Sequence, residues 1–132
     1  MKITPDTNVL VRILTRDDEQ QRGLAEAEVA GAEIVALTLP TLCELVWVLS
    51  RLYRIALPDI ATAMRGLAAS DNVHLDGPAV DVGLAALEAG GDFADAVIAY
   101  EGRRLGGNVF VSFDRKAVRL VAASGEAARL LA

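Results

Sequence analysis

The residues with the clearest capacity for chemistry are four carboxylates, each at the start of a helical pattern. Asp6 lies in Pro5-Asp6-Thr7-Asn8, directly after a short β-rich run, and Asp114 lies in Ser112-Phe113-Asp114-Arg115, after another. Glu44 falls early in the apolar stretch from Thr41 to Trp47, and Asp95 follows Asp92 in the first turn after Gly90-Gly91. Carboxylate oxygens are hard donors, the kind that hold Mg²⁺ or Mn²⁺. The chain has one histidine, His74, and one cysteine, Cys43, so a zinc cluster is improbable and a thiol–imidazole pair is not evident. No side-chain nucleophile stands out. The chemistry open to this set is hydrolysis by a metal-activated water.

Each acid also has a purely structural use. Aspartate is a favoured N-cap, and acids in a first turn complement the helix dipole. Asp6, Asp92 and Asp114 fit that use, Thr41-x-x-Glu44 matches a capping box, and Asp92-x-x-Asp95 resembles one. Glu44 shifts the balance. Leu42, Cys43, Leu45, Val46 and Trp47 flank it, which predicts a position at least half buried, and no Lys or Arg lies between Arg22 and Arg51 to pair with it. A carboxylate buried without a partner is costly or takes up a proton, and a bound divalent cation would remove that cost.

The elements that must position these acids alternate along the chain. Strand patterns fall at 2–4, 33–37, 73–75 and 108–112, with 127–131 either a closing strand or a helical turn. Helical patterns fall at 8–14, 17–30, 40–53, 58–69, 79–89, 93–105 and 115–123, several of them stopped by glycine. Strands so far apart cannot pair as hairpins; they call for crossovers and a mostly parallel sheet. The predicted class is α/β, a three-layer sandwich around a central, mostly parallel sheet of four to five strands, in a single domain over residues 1–132. Ligands of open sheets in this class lie at the carboxyl ends of the strands, where Asp6 and Asp114 fall.

Composition narrows the reading further. A chain of 132 residues has room for one core, and a hydrophobic content of 53% excludes disorder. No apolar run is long enough to span a membrane and no leader pattern opens the chain, so a cytoplasmic protein is expected. Cys43, among apolar neighbours, is expected to be a buried structural thiol. The net charge of -5 argues against a nonspecific nucleic-acid coat, and with aromatics at 5% an aromatic stacking platform is not an obvious binding mode.

Taken together, these motifs resemble the PIN-domain nucleases, and within them the VapC-type toxins. The resemblance runs across nearly the whole chain: Asp6-Thr7-Asn8 after the first strand, Glu44 in a Glu-Leu-x-x-x-Leu helix, Asp92 to Ala99, and Val111 to Asp114. It implies that Asp6, Glu44 and Asp95 are core metal-binding acids and Asp114 a fourth, looser one. Asp92 is then a cap or outer acid, while Thr7, Asn8 and Ser112 match positions that hydrogen-bond the acids or a metal-bound water. The implied activity is Mg²⁺- or Mn²⁺-dependent endonucleolytic cleavage of RNA, leaving a 5′ phosphate. The implied partners are a VapB-like antitoxin and a second copy of the chain. Arg12 and Arg16 after Asp6, and Arg115, Lys116 and Arg119 after Asp114, are candidates to track an RNA backbone or simply solvated helix faces.

Three rival classes fit less well. A haloacid-dehalogenase-like phosphatase needs a second aspartate two residues after the first, where this chain has Asn8. A phosphoacceptor receiver domain needs a late-strand lysine, and none lies between Lys2 and Lys116. A noncatalytic or regulatory PIN-like binding domain would have no need to retain all four acids.

Overall fold

Proline sets the first boundary. Strand β1 covers Lys2–Ile3 and stops short of Pro5, which has no N–H to give a ladder. The computed structural model describes all 132 residues, which group into two compact units, Met1–Asp76 and Gly77–Ala132.

The first unit continues with α1 (Thr7–Leu14), α2 (Glu19–Gly31), β2 (Ile34–Ala36), α3 (Leu39–Arg51), α4 (Leu57–Ala68) and β3 (Val73–His74). Its strands pair in parallel in the order β1-β2-β3, with Ile3 opposite Val35 and Val35 opposite Val73. Helix α3 supplies much of the core. Leu42, Leu45, Val46 and Leu49 recur at helical spacing and are buried, each contributing on the order of 1.5–3 kcal/mol. The cap of α3 differs from the expected capping box at Thr41. Thr38 is the N-cap, its hydroxyl accepting the Thr41 N–H at 3.4 Å, so Thr41 and Glu44 lie inside the helix. Pro40 then falls in the first turn, where a missing N–H costs nothing. Helix α1 buries Thr7, Leu10 and Val11. It ends where the Thr15 N–H and hydroxyl both return to the Val11 carbonyl, at 2.9 and 2.8 Å.

The second unit comprises α5 (Gly77–Glu88), α6 (Phe93–Arg104), β4 (Phe110–Ser112), α7 (Arg115–Ala123) and β5 (Ala128–Leu130). The turn from α5 to α6 needs Gly90, whose φ of 83° is strained for any other residue, and the Gly91 N–H closes it on the Ala86 carbonyl at 2.7 Å. Phe93, fully buried, opens α6 and packs its ring into the space beside Gly83. A Cβ at Gly83 would stand 2.3 Å from that ring. Strands β4 and β5 form a parallel pair, Phe110 opposite Ala128 through Ser112 opposite Leu130, so the closing segment is a strand rather than a helical turn.

The class is therefore α/β with parallel strands throughout, as the alternation predicts. The five strands, each of two or three residues, pair in two ladders of three and two rather than in one ladder of four to five. No helix is long and apolar enough to cross a membrane.

Candidate active site

In the first unit the chain turns from β1 into α1 at Asp6. The Asp6 carboxylate accepts the Val9 N–H through Oδ1 at 3.2 Å, capping the helix. The next residue, Thr7, is buried, and its hydroxyl donates to Glu44 Oε1 across a sequence separation of 37 residues. This bond joins the first turn of α1 to α3. Asn8, also in that turn, is exposed.

Glu44 is exposed, not half buried as its sequence neighbours suggest. The reason is helical geometry: Leu42, Leu45, Val46 and Leu49 form the inward stripe, while Glu44, Trp47 and Arg51 share the outer face. The desolvation case for a cation at Glu44 therefore falls away. Cys43 is half-buried rather than buried.

Arg12 is already engaged. Its guanidinium donates to Gln21 Oε1 at 2.6 Å, to Asp17 Oδ1 at 3.1 Å and to the Tyr53 hydroxyl at 3.3 Å. Tyr53 in turn donates to Asp17 Oδ2 at 2.6 Å, and the single Thr15 hydroxyl hydrogen is shared between the Val11 carbonyl and Asp17 Oδ1, the latter at 2.9 Å. The Tyr53 and Thr15 hydrogen bonds, with the Arg12 charge, hold the Asp17 carboxyl below its ordinary range. Arg12 thus serves this surface network of α1, α2 and the end of α3 through Nε and Nη1. Arg16 is exposed.

In the second unit Asp92 caps α6, accepting the Ala94 N–H at 2.7 Å, and Asp95 follows in the first turn. Both line a cleft of about 340 Å³ among α5, α6 and α7, walled largely by alanines such as Ala86, Ala96 and Ala117. This apolar wall strips water from Asp95. Burial first, then the charges of Asp92 and Asp114, push its carboxyl above the ordinary range. The cation at the cleft, Arg103, is paired with Glu126 at 3.3 Å. Asp114 caps α7, its Oδ1 accepting the Lys116 and Ala117 N–H groups at 2.9 and 3.1 Å. Ser112 Oγ accepts the Asp114 N–H at 3.0 Å and fixes the approach to that cap. Arg115, Lys116 and Arg119 are exposed.

Capping and ligation are compatible at these positions. Asp6, Asp92 and Asp114 each use Oδ1 for the cap, which leaves Oδ2 outside it. Every candidate ligand is a carboxylate, so the donor set fits a hard divalent cation in kind. In neither unit do three acids close around a metal-sized point. Two features of this geometry escape the sequence reading, the Arg12–Asp17–Tyr53 network and the exposure of Phe113, whose ring stands 80% open beside Asp114.

The PIN domain family matches residues 3–123, and the chain belongs to that family. PIN domains are generally nucleases, hydrolases acting on nucleic acids, and commonly use divalent metals. No curated protein matches the chain.

Proposed function

We propose that this protein is a metal-dependent endoribonuclease, the VapC-like toxin of a VapBC-type toxin–antitoxin pair, working in the cytoplasm as a homodimer restrained by a VapB-like antitoxin. The observation that carries the nuclease reading is the state of Asp95. Its carboxylate sits in an apolar cleft with the charges of Asp92 and Asp114 acting on it, and the cation lining that cleft, Arg103, is paired with Glu126. A divalent cation is the partner that would relieve that repulsion.

Asp6, Glu44, Asp95 and Asp114 are the proposed ligands. When bound, Mg²⁺ or Mn²⁺ supplies a water of lowered pKa and neutralises charge on the leaving 3′ oxygen. The chain's own residues position this chemistry. Thr7 orients Glu44, and Ser112 holds the Asp114 backbone. Asn8 and Asp92 stand in the same first turns as Asp6 and Asp95, and their proposed role is to hold a water or an outer proton. Arg115 and Lys116 are the proposed phosphate contacts, with Arg16 a lesser one.

The test is cleavage of a 3′-labelled single-stranded RNA by purified protein in Mn²⁺, in Mg²⁺ and in EDTA. Products with 5′ phosphates that form in metal and vanish in EDTA are expected. An inactive protein that still binds RNA would favour the noncatalytic reading, with the acids serving only as caps.

A further inference from the structure

The chain has three phenylalanines, and they differ sharply in setting. Phe93 is fully buried, Phe110 is half-buried, and Phe113 is 80% exposed. Single exposed apolar side chains are common, but Phe113 continues an exposed row with Val109 and Val111 at alternate positions, and a contiguous row asks for a partner. Phe113 is also held on a firm mount. On one side the Ser112 carbonyl accepts the Leu131 N–H at 2.8 Å, and Ser112 Oγ accepts the Asp114 N–H at 3.0 Å. On the other, Asp114 is pinned to the start of α7 by two N–H groups. Directly beyond stand Arg115 and Lys116, both exposed and neither in an ion pair.

We infer that Phe113 is a stacking platform for one unpaired nucleobase next to the scissile phosphate. This rests on the nuclease reading above and deepens it. The flat ring supplies a sequence-tolerant surface for a base, while the two cations suit the phosphates on either side of it. A base inside a duplex has both faces covered by its neighbours and cannot reach such a ring; a splayed base in a loop or strand can. Phe113 and Asp114 are consecutive, their Cα atoms about 3.8 Å apart, so a base on the ring would lie beside the residue that caps α7. Val109 and Val111, at alternate positions before Phe113, are also exposed and offer a protein partner an apolar row. The two unpaired cations favour a polyanion as the occupant of the Phe113 end.

The experiment is steady-state cleavage of a single-stranded RNA in Mn²⁺ by the full chain, with Phe113→Ala, Phe113→Leu and Phe113→Trp. The ring is 80% exposed, so all three variants should melt like wild type. Phe113→Ala and Phe113→Leu should raise KM about tenfold with kcat within about twofold, the size expected for one lost stack. Phe113→Trp should keep the wild-type KM, and a blunt duplex of the same sequence should be cut at least about tenfold less well. An unchanged KM in Phe113→Ala, or a Phe113→Trp no better than Phe113→Leu, overturns the inference and leaves the nuclease reading standing. So does a shift in sedimentation with KM unchanged, which would make the ring part of an interface between copies. A wild type that cuts no RNA overturns both.

Discussion

Glu44 and Asp95 are candidates for the same task, and the two halves of the chain prepare them in opposite ways. In the first unit a neutral hydroxyl, Thr7, grips Glu44 through one oxygen and leaves the other on the exposed face of α3. In the second unit no donor grips Asp95. An apolar cleft and two neighbouring carboxylates raise the cost of its charge. One acid is oriented and the other is held in deficit of positive charge. Orientation fixes where a ligand points; deficit fixes how strongly it wants a cation.

That contrast can be broken at either end. The largest effect should come from removing the carboxylates themselves. Glu44→Ala and Asp95→Ala should each lower Mn²⁺-dependent RNA cleavage by more than about 100-fold, beyond what loss of a supporting contact gives, with circular dichroism unchanged. Near-native cleavage by either folded variant would take that residue out of the site. Thr7→Val comes next. It keeps the shape of the side chain and deletes only the hydroxyl that holds Glu44, so activity should drop about 10–100-fold, and Thr7→Ser should recover most of it. If Thr7→Val cleaves like wild type, the hydroxyl has no part in orienting the acid.

A smaller effect is expected at Asp92. Asparagine caps a helix as well as aspartate does, so Asp92→Asn preserves the start of α6 and removes one of the charges acting on Asp95. Cleavage should fall only a few-fold, less than in Asp95→Asn. The reverse order in a kinetic comparison would shift the ligand one helical turn toward the N-terminus.

The smallest effect concerns stability in EDTA. The Asp95 carboxyl is raised in the folded state, so the folded protein holds that proton more tightly than the unfolded chain. Its contribution is fully present below the ordinary aspartate range and fades as pH climbs through the raised value. Wild type in EDTA should therefore lose stability from about pH 4 upward relative to Asp95→Asn, which cannot titrate. Melting curves of the two proteins across pH 4–7 that run parallel would show that Asp95 carries no such deficit.

Much of this was legible in the residue order, and the exceptions share a cause. Helix limits came within a few residues because Pro40, Pro58, Gly90-Gly91 and Gly106-Gly107 punctuate the chain locally. The segment 127–131 stayed ambiguous because only its pairing with β4 makes it a strand. Glu44 departs from expectation because its neighbours along the chain are not its neighbours around the helix. The Arg12–Asp17–Tyr53 network joins residues up to 41 apart, and no short-range pattern announces it. The acids themselves were visible because caps and ligands both favour helix starts, and for that same reason their two uses could not be separated from the sequence.

The contact between Gly83 and Phe93 bears on how this chain can drift. A methyl at position 83 would strike the ring at 2.3 Å, an overpacking that costs about 1–3 kcal/mol, while a smaller residue at position 93 leaves a hollow beside a bare glycine. Neither position tolerates being the first to change. The pair should change together if it changes at all, and Phe93 stands between Asp92 and Asp95 at the opening of α6. The spacing of the two acids is thus guarded by residues that carry no charge and touch no substrate, and a survey of tolerated substitutions should find positions 83 and 93 locked as firmly as the carboxylates.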